Sequence, residues 1–274
     1  MKTIIYSNEK IKLNLRQLFQ YSDLMKNLAK RDVTIRYKQT WLGVLWALVR
    51  PLFNIAVFGV ISILITKSTN PVDNFLYVGA GVIIWNFISS LIADCSNSLL
   101  ANSNLITKVF FPKLILPLSS TIVCLIDFLI AFGFYLIAFI LLKGFPGPQL
   151  FLFPLFIGLA AVLCYGAGLF FSAMNVRYRD VNFALPFLVQ FLYYTSPVFL
   201  SSEFYLSHLP PVLKNIYLAN PFVFIIDGFR YCLYGEWVNF SLLHAALSIL
   251  FIFILLISGV RYFLKFEKTF ADYI

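Results

Sequence analysis

Charge is scarce in this chain. Asp, Glu, Lys and Arg make up 12% of its 274 residues, against about 25% in a soluble domain. So few charges cannot cover a water-facing surface, and a soluble globular fold is excluded. Histidine is nearly absent, with only His208 and His244. The four cysteines, Cys95, Cys124, Cys164 and Cys232, have no metal-type spacing, and three lie inside apolar runs. They read as small buried hydrophobes, not as a metal set or a disulfide framework. None of the thirteen glycines opens a G-x-x-x-x-G-K-[ST] phosphate loop. H-E-x-x-H and G-x-S-x-G are also missing. No pair of carboxylates inside the apolar runs is spaced for acid–base work. No catalytic or metal-binding residue is therefore assigned, and an enzyme is not expected.

What the chain has is apolar length. Hydrophobic residues are 61% of it and the mean hydropathy is +0.86. A bilayer core takes about 20 apolar residues per helix. Six runs fit: Leu42 to Thr66, Phe75 to Cys95, Leu118 to Leu142, Leu150 to Met174, Phe183 to Leu200 and Leu242 to Leu264. The fold class predicted is an all-α polytopic membrane protein, with a cytoplasmic N-terminus over 1–40 and one transmembrane domain over 41–274. The net charge of +9 is unevenly placed. Lys2, Lys10, Lys12, Arg16, Lys26, Lys30, Arg31, Arg36 and Lys38 all precede the first run. The positive-inside rule then puts both termini in the cytoplasm, in agreement with an even number of spans. The same asymmetry explains the basic balance better than nucleic-acid binding does. The first forty residues are polar, with no apolar core of a signal peptide, so the first span is expected to serve as its own insertion signal.

The interruptions carry the functional clues. Residues 14–31 are amphipathic, with Leu15, Leu18, Tyr21, Leu24 and Leu28 at helical spacing. Asn14 followed by Gln17 has the form of an N-cap. A helix on the inner membrane surface is predicted there. In the first span, Pro51 removes a donor and predicts a kink or break. Arg50 beside it either snorkels to the inner headgroups or faces a polar cavity or an anion. Trp41 and Trp46 suit the inner interfacial belt. A helix over Leu99 to Phe111 is predicted between spans two and three, stopping before Pro112. Asp127 lies inside the third span and is either functional or hydrogen-bonded within the bundle. Ala160, Cys164, Gly168 and Ser172 form a small-residue stripe, a packing face within the subunit or between two copies. Arg177, Arg179 and Asp180 crowd one cytoplasmic turn. Beyond the fifth span, Pro210, Pro211 and Pro221 divide an apolar stretch into pieces too short to cross, so a broken helical pair dipping into the outer leaflet is expected.

Several of these stretches resemble a known family. RDVTIRYKQTWLGVLWALVRPLF (Arg31 to Phe53) closely resembles the first-span signature of permease subunits of type-2 ABC exporters for polysaccharides, the O-antigen, teichoic acid and capsule export permeases. NSNLITKVFFPKLILPLSS (Asn102 to Ser120), NVRYRDV (Asn175 to Val181), YLANPFVFIIDGFRYCLYG (Tyr217 to Gly235) and FEKTFADYI (Phe266 to Ile274) agree. The resemblance implies a homodimer in the cell inner membrane. It implies a separate soluble nucleotide-binding subunit, which holds ATP and Mg; no cofactor is expected on this chain. An interface helix matches residues 14–31, a gate-like helix Leu99 to Phe111, and outer gating helices Pro211 to Gly235. The cargo implied is an undecaprenyl-phosphate-linked polysaccharide, moved outward through a pore between the two copies.

Within that resemblance, roles follow from side-chain chemistry. Sugars slide along aromatic walls that bind weakly and repeatedly. Trp85, Tyr193 and Tyr194 are the pathway candidates, with Arg50, Trp41 and Trp46 at the inner entrance, where a guanidinium pairs with phosphate oxygens. Arg36, Tyr37, Lys108, Arg177, Arg179 and Asp180 are expected to couple to the ATPase. Pro221, Asp227 and Arg230 are expected at the outer gate. Three other readings stay open: a type-2 permease for a small hydrophobic drug or lipid, a membrane-embedded transferase, and a purely structural subunit.

Overall fold

A computed structural model describes residues 15–38, 41, 43–178, 180–237, 240–267 and 270, with the backbone alone for 15–17. Among them are helices and turns but no strand. In chain order the helices are α1 (Leu15–Gln20), α2 (Ser22–Lys38), α3 (Trp46–Thr66), α4 (Pro71–Ala101), α5 (Ser103–Lys108), α6 (Ile115–Lys143), α7 (Phe153–Arg177), α8 (Val181–Thr195), α9 (Ser202–His208), α10 (Pro211–Leu218), α11 (Pro221–Tyr234) and α12 (Leu242–Phe266). Helices α3, α4, α6, α7 and α12 are long and apolar enough to cross a bilayer.

Helix α4 is the centre. It packs against α3, α6, α7, α8 and α11. Val78, Ile84, Ile88, Leu91 and Cys95 along it have no exposure at all. A helix apolar all round belongs in the middle of a bundle. The stripe Ala160, Cys164, Gly168 and Ser172 on α7 is buried inside the subunit. Gly168 faces Cys95 of α4, where a Cβ would lie 2.4 Å from the cysteine Cβ. On its other side α7 meets α12 glycine to glycine: a Cβ on Gly259 would sit 2.1 Å from the carbonyl oxygen of Gly166.

At one end of the bundle a second apolar cluster forms. Leu28, Leu99, Ile106, Phe111, Val176, Phe263 and Phe270 are buried together, with Leu18, Tyr21, Leu24 and Met25 packed on them. The apolar face expected to rest on lipid is thus largely taken up by the chain itself. Asn14 and the side chain of Leu15 lie outside the described residues. Glu267 clips this end together. The Lys113 amide donates to its Oε1 at 2.9 Å, and Lys113 Nζ donates to its carbonyl oxygen at 2.8 Å. Burial raises the Glu267 carboxyl above its ordinary range, against the opposing pull of Lys113.

Four elements differ from the sequence reading. The helix predicted over residues 14–31 is α1 and α2, parted at Tyr21 and running on to Lys38. The helix expected over Leu99 to Phe111 is two pieces: Leu99 belongs to the last turn of α4, which ends at Ala101, and α5 covers only Ser103–Lys108. Asn102 makes the break. Its Nδ2 donates to the Ser98 carbonyl at 2.9 Å, the group its own amide would otherwise reach, and that amide turns to Leu99 instead. The fifth span, expected over Phe183 to Leu200, is helical only over Val181–Thr195. Fifteen residues reach about 22 Å, short of a core of about 30 Å. Pro197 forces Ser196 into extended backbone (φ −110°, ψ 155°) and ends the helix. Pro51 does not break α3, which begins only at Trp46, so the proline falls in its second turn. The broken pair at the far end is present as α10 and α11, bent by 68°. Pro211 and Pro221 open these helices, where a missing N–H costs nothing.

The glycine contact gives a test. Gly259→Leu forces α12 away from α7 and is expected to cost about 1–3 kcal/mol, read as a lower melting temperature in detergent. Gly158→Leu, at a position with open space around it, is expected to leave melting unchanged.

Candidate functional site

Helices α2, α3, α4 and α6 enclose a cavity of about 520 Å³ near the end that carries α1 and α2. That end is cytoplasmic in the orientation the charge pattern predicts. The cavity wall includes Arg36, Tyr37, Trp46, Arg50, Asn86, Ser90, Asp94 and Asp127. Asp127 is twelve residues into α6, about 18 Å from its start. A carboxylate at that depth needs a partner, and α2 brings one. Arg36 Nη1 donates to Asp127, and Nη2 donates to Asp94 Oδ2 at 2.9 Å. Tyr37 donates to the other Asp127 oxygen, and Cys124 Sγ donates to Asp94 at 3.2 Å. Asp127 is therefore hydrogen-bonded within the bundle. Burial by itself would lower the pKa of Arg36, but its bond to Asp94 and the charges of Asp127 and Asp94 raise it. Burial and the bond to Asp127 push the Tyr37 phenol up.

Arg50 stands on the same wall with its side chain exposed, and it makes no ion pair among the described residues. It is the cation there free for a ligand. Ala47, whose carbonyl loses its helical donor at Pro51, also lines the cavity. Trp46 is half exposed on the wall, while Trp41 is 97% exposed outside it.

The aromatic candidates separate. Trp85 and Tyr193 are buried in the subunit, at 4% and 6% exposure. Their rings meet edge-on at 5.6 Å, and Phe58 lies 5.0 Å from Tyr193. Tyr194 is half exposed. It continues a stripe with Phe183, Phe187 and Phe191, all exposed on one face of α8. Sequence reasoning passed over these phenylalanines, because a phenylalanine in an apolar run reads as packed or lipid-facing. Their spacing of four was the available signal.

Of the expected coupling residues, Arg36 and Tyr37 thus lie in the cavity. Lys108 is exposed at the end of α5, and Asp180 is exposed just before α8. Arg177 ends α7 and lies over the rings of Tyr178 (5.2 Å) and Phe266 (5.8 Å). Arg179 lies outside the described residues. At the far end Pro221 starts α11, and Asp227 accepts from the Ser202 hydroxyl. Arg230 is 3% exposed. It donates to the carbonyls of Pro197 (2.6 Å), Val198 (2.8 Å) and Tyr77 (3.3 Å) and to the Tyr77 hydroxyl (3.2 Å). Its guanidinium also stacks on the Tyr77 ring at 3.8 Å. Gly81 makes room, since a Cβ there would lie 2.0 Å from the Val198 oxygen. Among the described residues no group of His, Cys, Asp and Glu could hold a metal ion.

The ion cluster is open to measurement. Arg36 is 39% exposed, so solvent screens it and the Arg36–Asp127 coupling should be only about 1 kcal/mol. A double-mutant cycle of Arg36→Met and Asp127→Asn, read by thermal unfolding in detergent, is expected to be non-additive by that amount. Strict additivity would show that the two groups do not interact.

Comparison with known proteins adds the family. The ABC-2 type transporter family matches residues 23–234. An O-antigen export system permease protein RfbA of Klebsiella pneumoniae is 27% identical over 267 residues, 96% of this chain and 98% of the relative. A second from that organism is 25% identical over the same shares. One from Myxococcus xanthus is 24% identical over 185 residues, 67% of this chain and 70% of the relative. With its apolar helices arranged as above, this chain belongs to the ABC-2 type transporter family, as a multi-pass membrane permease whose part is transport and not catalysis.

Proposed function

We propose that this chain is the channel-forming permease subunit of an ATP-driven exporter that moves undecaprenyl-phosphate-linked polysaccharide from the cytoplasmic to the outer side of the inner membrane. Two copies pair with soluble nucleotide-binding subunits, which hold ATP and Mg. The observation that carries the reading is the end-to-end likeness to O-antigen export permeases, which spans 96% of this chain.

The geometry supports it at two points. Arg50 offers an uncommitted guanidinium beside Trp46, in a cavity near the cytoplasmic end. A lipid pyrophosphate presents oxygens in the geometry a guanidinium fork matches. The stripe of Phe183, Phe187, Phe191 and Tyr194 offers flat apolar faces with one hydroxyl. Such a wall suits sugar faces and releases them easily. A small hydrophobic drug would need neither the free cation nor a surface this long.

Coupling follows from α2. Arg36 ties that helix to α4 and α6 at once. A push from the nucleotide-binding subunit on α2 would therefore reach two spans directly, with Lys108, Arg177, Arg179 and Asp180 as neighbouring contact points. In this reading both termini are cytoplasmic, residues 1–40 precede a single transmembrane domain, and Pro221, Asp227 and Arg230 brace the outer gate.

Cells depleted of this chain are expected to accumulate an undecaprenyl-linked polysaccharide on the cytoplasmic side while its surface form disappears. Normal surface glycan would remove the polysaccharide reading and leave the drug or lipid permease. Restoring the chain with Arg50→Ala is expected to lower surface glycan about tenfold or more, with the nucleotide-binding partner still co-purifying. Full export with Arg50→Ala would take the lipid phosphate away from this residue.

A further inference from the structure

A second cavity lies at the opposite end of the bundle. It holds about 510 Å³ between α3, α4, the end of α6 and α11, within the usual range for small-ligand sites. In a chain that is 61% hydrophobic, no aliphatic side chain lines it. Hydroxyls, carboxylates, one amide, two tyrosines and two cations make the wall.

Both cations are already committed. Arg230 is held by the carbonyls and the tyrosine described above. Lys143 pairs with Asp73 at 3.0 Å and sits 4.4 Å over the Tyr234 ring. Acceptors are what remain. The Asn74 Oδ1 is buried with no hydrogen-bond partner. Its Nδ2 donates to Ser62 Oγ at 3.1 Å, which fixes the amide in place. Glu236 is exposed on the rim and makes no ion pair among the described residues. A buried acceptor left unpaired is costly, and a donor from a ligand would relieve it. Three carboxylates against two paired cations repel phosphate and uronate groups. The wall therefore selects a ligand that is neutral and rich in donors. Sugar hydroxyls have that chemistry, and Tyr234 supplies an aromatic edge for a sugar face.

We propose that this cavity is a binding subsite for neutral sugar residues, with Asn74 and Glu236 as the hydroxyl acceptors. It receives the glycan as it leaves the far end of the permease, and so rests on the export reading above. It also carries a specificity: a neutral glycan is held there, and an acidic one is not.

The test uses the full chain with its nucleotide-binding partner in lipid nanodiscs. Saturation-transfer NMR is recorded with a panel of neutral trisaccharides of glucose, galactose, mannose and rhamnose, and with trigalacturonate as the acidic probe. Transfer to at least one neutral probe is expected, with trigalacturonate at least about tenfold weaker. Glu236→Gln and Asn74→Leu are each expected to weaken the neutral probe about tenfold. Should Asn74→Leu fail to fold, Glu236→Gln on the exposed rim carries the test alone. No transfer to any neutral probe, a preference for trigalacturonate, or unchanged binding by Glu236→Gln would overturn the subsite and leave a water-filled mouth. Any of those results beside normal loss of surface glycan on depletion would leave the export reading standing. Intact surface glycan on depletion would remove that reading whatever the probes do.

Discussion

A backbone carbonyl inside hydrocarbon has no water to accept from. That constraint shapes this molecule. It makes nearly every element a helix, and it decides what happens where a helix stops early. Helix α8 ends at Thr195, and the chain continues through Ser196 and Pro197 in extended form. Its carbonyls would be stranded among buried Val198 and Leu200. Arg230 reaches them from α11, and Gly81 on α4 leaves the space. One guanidinium thus closes the hydrogen bonding of a non-helical segment and fastens α11 and the end of α8 to α4. Its charge is balanced by Asp227 at 3.9 Å and spread over the Tyr77 ring. The arrangement is costly to assemble and costlier to break, because losing either side leaves a buried polar group alone.

The end that carries α1 and α2 answers the same constraint with charge. Asp127 and Asp94 project from two spans, and Arg36 comes from a helix that is not a span. A peripheral helix is often held only by its apolar face. Here α2 is held twice, by Leu28 and its neighbours below and by Arg36 above. Its position is therefore tied to that of α4 and α6.

Much of this could be read from the chain. Apolar length gave the long helices, and Pro211 and Pro221 marked the starts of the broken pair. The helical spacing of Leu15, Leu18, Tyr21, Leu24 and Leu28 put a helix before the first span. What escaped reading was tertiary. Asn102 looks like any polar loop residue until its amide is seen on Ser98, and so one helix was expected where two occur. Leu200 is as apolar as a span residue, and only Pro197 hinted that the helix stops before it. Arg36 and Asp127 are 91 residues apart, and no periodicity joins them. Asp127 signalled a need for a counter-charge without naming it. Arg230 was expected at the outer gate, and nothing in the sequence shows that it is almost wholly buried. The stripe on α7 was visible, but which helix it met was not.

Where two glycines touch, no side chain lies between backbones to roll or yield. Helices α7 and α12 are locked in that way through Gly166 and Gly259, and Gly168 locks α7 to α4. These three form a stator. Helix α3 buries only Pro51, Gly59 and Ser62, and α8 only Leu185 and Tyr193. Their outer faces can change neighbours at little energetic cost. Arg50 and the aromatic stripe thus sit on helices that bury few side chains, outside that block.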